Sequence, residues 1–188
     1  MTTQRTQEVR ERLLAAAAEL IAERGWAGVS TRVLAERAGV GPGLVHYHFS
    51  SLRALLNEAA LHAVTAVVQE GADRLAGATA REGLDLLLGA LDAYTGGDPV
   101  SVLFTETYLA AGRDEELRRA LTRLLADFRV LLTDWLRATG VPDPDATARV
   151  LAAAMDGLML HRPLDPSLTA EAAVPVLRRL LTGAVEEY

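Results

Sequence analysis

Apolar residues between Gln4 and about Arg24 fall at Val9, Leu13, Ala16, Ala17, Leu20 and Ile21, one face of a helix of 3.6-residue period. Gly25 ends it. Ser30 and Thr31 offer capping hydroxyls for a short second helix to about Ala38, with Gly39 as its stop. Gly41 can cap a third, with Pro42 at its first position, where a missing N–H costs nothing. That helix runs to about His48, with Val45 and Phe49 forming its apolar face. Ser50 or Ser51 opens a longer fourth helix to about Gly77. Beyond it, "TGGDP" (95–99), "AGRDE" (111–115), "TGVPDPD" (139–145) and "RPLDPS" (162–167) pair a stop with a cap and divide the rest into further helices. Nine helices result, and no stretch alternates long enough for a strand, so the fold is expected to be all-α. Pro175 requires the last helix, expected from Ala170 to near Glu187, to start late or bend.

Two short helices joined by a glycine-containing turn, backed by a longer helix, form a helix-turn-helix. Its second helix is "GVGPGLVHYHFSS", residues 39–51, which carries two histidines and a tyrosine. Positions two apart on a helix lie roughly 200° apart, so His46 and His48 cannot share a metal as an i, i+4 pair can. No metal site and no catalytic residue is expected. "GVGPG" lacks the Lys-Ser/Thr ending and the preceding strand of a phosphate loop.

At 188 residues, half of them apolar, the chain can bury a sizeable core as one domain or as a small domain joined to a larger one. It has no cysteine, which removes disulfides and thiolate chemistry. The start "MTTQRTQEVR" lacks the apolar stretch of a secretory signal, and no apolar run approaches the ~18 residues of a membrane span. A cytoplasmic location without membrane contact is expected. The net charge of −6 argues against indiscriminate coating of nucleic acid, yet residues 1–53 hold seven Arg against five Glu, and the remainder twelve Arg against twenty acids. The cationic end is the amino end. All nineteen cations are arginine, which suits bidentate phosphate or guanine contacts, although a codon bias would produce the same absence of lysine.

The segment "STRVLAERAGVGPGLVHYHFSSLRALL" resembles the helix-turn-helix of the TetR/AcrR family of bacterial transcription regulators over about residues 9–56. Thr31, Ala35, Ala38, Gly39, Val40, Gly43, Val45, His48, Phe49 and Leu55 occupy the family's expected positions. The resemblance implies a helix-turn-helix domain at 1–53 and a helical ligand-binding and dimerisation domain at 54–188. It implies DNA contacts from Thr31 and Arg32, base-facing positions at Pro42, Gly43 and Leu44, and phosphate contacts at Tyr47 and His48. The chain departs from the pattern at Gly41, where Ser is usual, at His46, where Tyr is usual, and at Leu52, where a phosphate-binding Lys is usual. Arg53 is adjacent to that position but about 100° around the helix. With no side-chain donors at Gly41, Pro42, Gly43 and Leu44, base discrimination falls to Arg32, His46 and an amino-terminal arm around Arg5, together with DNA shape.

The resemblance further implies a homodimer on a near-palindromic double-stranded operator and a small hydrophobic or amphipathic effector that releases a repressor from DNA, with no cofactor. Ligand binding would act through the long fourth helix. Small residues Ala152, Ala153, Ala154 and Gly157 with Leu177, Leu180 and Leu181 are the expected dimer face; the alternative is that they face the chain's own core. Phe104, Tyr108, Trp135, Met155 and Met159, with Asp156 and His161 as polar anchors, are the expected pocket set, each of which taken singly can equally be ordinary core. A regulator without a small ligand, controlled by DNA occupancy or a protein partner, is the alternative. An all-helical enzyme using Asp156 and His161 is a third reading, weakened by a spacing of five, off the i+3/i+4 register.

Overall fold

The computed structural model describes residues 2–182, without the side chains of Thr2, Thr3, Leu91 and residues 180–182. Among the described residues the fold is nine α-helices and one 3-10 turn: α1 (Thr2–Arg24), the turn Trp26–Gly28, α2 (Thr31–Ala38), α3 (Pro42–His48), α4 (Leu52–Leu75), α5 (Ala80–Leu91), α6 (Pro99–Ala111), α7 (Glu115–Ala138), α8 (Pro144–His161) and α9 (Ala170–Thr182). The all-α expectation is met. α1 begins at Thr2, so Arg5 lies within a helix and the described residues form no extended arm around it.

Two compact units emerge, and each draws on separated stretches of chain. One takes residues up to Ala66 together with Val102–Leu121; the other takes Val67–Ser101 together with residues from Thr122 onward. In the first, Leu13, Ala17, Leu20 and Ile21 of α1 bury against Leu34 and Ala35 of α2, Val45 of α3, Leu55 and Leu56 of α4, and Leu103 of α6. Each fully buried Leu or Ile of this set stabilises the unit by about 1.5–3 kcal/mol relative to exposure. In the second, Leu84, Leu87 and Leu88 of α5 meet Leu132, Trp135 and Leu136 of α7, with Ala148 and Leu151 of α8 and Ala170 of α9.

Local polar groups fix the ends of these helices. Thr79 and Glu82 form a reciprocal capping box on α5, with Glu82 N donating to Thr79 Oγ1 and Thr79 N donating to Glu82 Oε2. Asp98 accepts from Val100 N at 3.1 Å and Ser101 N at 3.0 Å, capping α6, while its other oxygen takes the N–H of Thr95 and the hydroxyl of Ser101. Arg162, only 9% exposed, follows α8 and ties three segments together. Its Nε donates to Leu168 O at 2.6 Å and its Nη1 to Tyr94 O at 3.2 Å, while Nη2 pairs with Asp92. Asp92 Oδ1 also accepts from Ala170 N, the first residue of α9. Pro175 lies inside α9 after all. The carbonyl its missing N–H leaves unbonded is that of exposed Glu171, which can turn to water.

Candidate nucleic-acid interface

The α2–α3 turn is fixed by backbone chemistry. Gly39 adopts φ 64° and ψ 39°, a left-handed conformation costly to other residues, and Val40 N returns to Ala35 O at 3.0 Å. Arg12 Nη2 of α1 donates to Gly39 O at 3.1 Å, holding the turn from outside. Gly41 caps α3 in extended conformation with Pro42 next, and Phe49 N closes the far end on Val45 O. Val45 and Phe49 are buried as the spacing predicts.

The opposite side of α3 is open. Pro42, Gly43, Leu44, His46 and Tyr47 are exposed, Tyr47 by 73%, and His48 is half-buried. The Tyr47 and His48 rings meet edge to face with centroids 5.1 Å apart. An added Cβ at Gly41 or Gly43 would meet nothing within 4 Å. Packing within the chain therefore does not require glycine at either position, and the backbone there is free to approach an outside surface closely. Leu52, by contrast, is half-buried against the first unit's core and carries no hydrogen-bonding group.

The arginines of this unit divide by partner. Arg37 is held by Glu19 at 3.1 Å and Glu23 at 2.6 Å, and hydrogen bonds from Arg37 keep Glu23 below the usual carboxylate range. Arg10 pairs with Glu58 and lies 5.0 Å over the Phe49 ring. Arg53 donates to Asp114 at 3.1 Å. Arg32 is exposed beside half-buried Thr31 at the start of α2 and makes no ion pair among the described residues. His62 is exposed on α4.

Two carboxylates brace this unit from its later segment through contacts that sequence reasoning missed. Glu106 of α6 accepts the N–H of Trp26 at 2.7 Å, immediately after Gly25. Asp114, in the turn between α6 and α7, caps α7 through Glu116 N and Leu117 N and also accepts from Asn57 Nδ2 at 3.1 Å. The capping role of Asp114 was legible from "AGRDE"; the contacts across 57 residues to Asn57 and 80 residues to Trp26 had no local signal.

Two apolar concavities lie among the described residues of the second unit. A cleft of about 600 Å³ is lined by Ala72 and Leu75 of α4, the turn that follows from Ala76, and Leu131, Asp134, Trp135 and Thr139 along and just past α7. Trp135 Nε1 donates to Ala78 O at 3.1 Å beside it. A groove of about 410 Å³ between α8 and α9 is lined by Ala154, Gly157, Leu158, His161, Ala173, Val176 and Leu177. Of the expected pocket residues, Trp135 lines the first and His161 the second; half-buried Met155 packs on the core of this unit, and Asp156 and Met159 are half-buried on α8. Phe104, buried, and Tyr108, 39% exposed, belong to α6 in the first unit. Of the expected dimer residues, Ala153 is exposed and Gly157 and Leu177 are half-buried, while the side chains of Leu180 and Leu181 lie outside those described. Val150, Leu160 and Leu164 are 61%, 57% and 83% exposed, so α8 and its exit carry an outward apolar stripe that the described residues leave uncovered.

This architecture is shared with known proteins. Residues 13–59 match a family described as bacterial regulatory proteins, tetR family, and residues 78–187 match the tetracyclin repressor-like C-terminal domain. An HTH-type transcriptional regulator of Mycobacterium tuberculosis is 30% identical over 190 residues, 97% of each chain. A crystal structure from Streptomyces coelicolor A3(2), described as a transcriptional regulator, is 32% identical with a TM-score of 0.79, covering 93% of this chain and 99% of that one. Another from Rhodococcus sp., described as a TetR-family transcriptional regulator, is 29% identical with a TM-score of 0.76 over 94% of this chain and 99% of that one. No described helix is long and apolar enough to cross a membrane. The open face of α3, the turn that presents it and these likenesses agree: the chain belongs to the tetR family and is a DNA-binding transcriptional regulator.

Proposed function

We propose that the protein is a homodimeric repressor that a small apolar or amphipathic molecule releases from a near-palindromic operator in the cytoplasm. The observation that carries the dimer is the outward stripe of Val150, Ala153, Gly157 and Leu160 on α8, continued by Leu164 and flanked by Val176 of α9. A contiguous apolar face of this kind marks an interface, and two copies related by a two-fold axis would cover each other's stripe. Gly157 lets the partner backbone come close. Two recognition helices in such a dimer address half-sites about 34–36 Å apart, or a multiple of that.

On each half-site Arg32 and His46 supply hydrogen bonds to base edges, Leu44 supplies apolar contact, and Tyr47 and His48 donate to phosphates, with Thr31 at the backbone. The effector occupies the cleft beside Trp135, whose lining is mainly apolar with Thr79, Asp134 and Thr139 as polar groups. α4 belongs to both units and is the element through which occupancy alters operator affinity. A ligand does so only by preferring one arrangement over the other.

Sedimentation equilibrium and footprinting test this reading. The wild-type chain sediments as a dimer and protects two half-sites. Val150→Glu with Leu160→Glu yields a folded monomer whose operator affinity falls by about a hundredfold or more as bivalency is lost. A wild-type monomer, or a dimer that survives both substitutions, refutes the interface. In a thermal-shift screen of metabolites and drugs, molecules that raise the melting temperature also weaken operator binding. Stabilising molecules that leave the DNA affinity unchanged would refute the release mechanism.

A further inference from the structure

Arg53 lies in the first turn of α4, just past the short link from α3, and its side chain is 66% exposed. Its acceptor is unusual for a surface pair. Asp114 is only 11% exposed, and its carboxylate is fixed on three further sides: Oδ1 receives Glu116 N at 2.9 Å and Leu117 N at 3.1 Å, and Oδ2 receives the amide of buried Asn57 at 3.1 Å. The Asn57 hydrogen bond, then those from the α7 backbone and the charge of Arg53, keep this carboxyl below the usual range although burial opposes them. The carboxylate is thus a rigid post, and Arg53 is the mobile partner tied to it. A guanidinium has five N–H donors in a planar fork, and Asp114 engages Nη1.

We infer that Asp114 is a positioning residue for DNA binding: it holds the Arg53 guanidinium in place so that the remaining donors meet a backbone phosphate at the edge of the half-site. Half-buried Leu52 beside it carries no charge, so Arg53 is the cation that the first turn of α4 presents. Pre-ordering a long side chain removes the loss of rotamer freedom that it would otherwise suffer on binding, an effect of about two- to tenfold per immobilised side chain. The inference rests on the reading that the α3 face meets DNA. It adds that the α6–α7 turn, distant in sequence from the helix-turn-helix, contributes to affinity.

The sign of one substitution separates positioning from simple charge. Asp114→Asn removes a negative charge near DNA, so long-range electrostatics alone predicts tighter binding. Positioning predicts weaker binding. The substitution keeps an oxygen for the α7 cap, since asparagine is a good N-cap, and Asn57 can rotate its amide to stay paired with the new one. Arg53 alone loses its acceptor.

The full chain is titrated into a mixed-sequence duplex and into the footprinted operator by fluorescence anisotropy over a range of salt, with a thermal melt of each variant. Arg53→Ala weakens both duplexes alike and lowers the slope of log affinity against log salt by about one per protomer. Asp114→Asn weakens both by about two- to tenfold per protomer while melting near the wild type, and the double variant is no weaker than Arg53→Ala. Equal or tighter binding by Asp114→Asn overturns the positioning role even if Arg53→Ala behaves as expected. An unchanged salt slope in Arg53→Ala overturns the phosphate contact itself. Arg32→Ala and Tyr47→Ala on the same duplexes report separately on the α3 face.

Discussion

Replacing Gly83 by alanine sets two physical effects against each other, and the structure decides between them. Gly83 is buried in the first turns of α5, where glycine costs a helix roughly 1 kcal/mol relative to alanine, so propensity alone predicts a more stable protein. The alanine methyl, however, would stand 2.7 Å from Cε2 of Trp135 and 2.9 Å from Cδ2 of Leu75, and closer still to the outer edge of the indole. Overpacking of this kind costs about 1–3 kcal/mol. Relief requires the indole to slide, which strains its hydrogen bond to Ala78 O, worth about 0.5–1.5 kcal/mol. After the gain in propensity, a net destabilisation of about 2 kcal/mol is expected, a fall of roughly 4–8 °C in melting temperature for a chain of this size. Because Trp135 lines the cleft beside α4, the displaced ring moves into that space, and its fluorescence shifts in a Trp26→Phe background. Urea denaturation followed by that fluorescence measures both effects. An alanine variant as stable as the wild type, with unchanged emission, refutes the close-packing account.

Two further perturbations probe the polar anchors of the second unit. Arg162→Met leaves the carbonyls of Tyr94 and Leu168 without their charged donor, while half-exposed Asp92 is rehydrated; a loss of about 2–4 kcal/mol is expected in chemical denaturation, and Asp92→Asn, which keeps an acceptor for Ala170 N, costs less. Equal losses from the two variants would contradict the clasp. Asp98→Ala removes the cap of α6 at a cost of about 1–2 kcal/mol. Burial pushes the Asp98 carboxyl up, but bonds from the Ser101 hydroxyl and from the backbone N–H groups of Ser101 and Thr95 outweigh it and hold the group below its usual value. A depressed carboxylate stabilises the fold above its unfolded pKa, about 3.9, and loses that contribution as pH falls through the folded value. The gap between Asp98→Ala and wild type is therefore full at neutral pH and closes in acid; a gap that widens in acid is the contrary result.

What the sequence disclosed was governed by range. Gly25, Gly39, Gly41 with Pro42, and the caps at Asp98 and Asp114 act within four residues of themselves, and the helices end or begin where those residues require. The helix-turn-helix was legible for the same reason, its apolar face being set by Val45 and Phe49 at one-turn spacing. Arg162 sits in a segment that reads only as a break, yet its partners are about seventy residues back at Asp92 and Tyr94. Glu106 has ordinary helical neighbours and Asp114 reads only as a cap, so nothing local announces that one carboxylate meets Trp26 or that the other meets Asn57. Pro175 leaves the choice between a late start and a bend to longer-range contacts: α9 does not start late but runs through it from Ala170, which Asp92 holds by its N–H.

The unit that carries the helix-turn-helix is not a contiguous piece of chain, and this bears on how regulators of this architecture can be recombined. Residues up to Ala66 supply the recognition helix, but the N–H of Trp26 and the amide of Asn57 find their acceptors on residues 106 and 114, and Leu103 completes the core. A chimera that grafts only the amino-terminal stretch onto a foreign effector domain strands those two polar groups and leaves a hole where Leu103 sat. The smallest portable reader of DNA in this protein is a discontinuous module, in which the α6–α7 corner travels with the helix-turn-helix it braces.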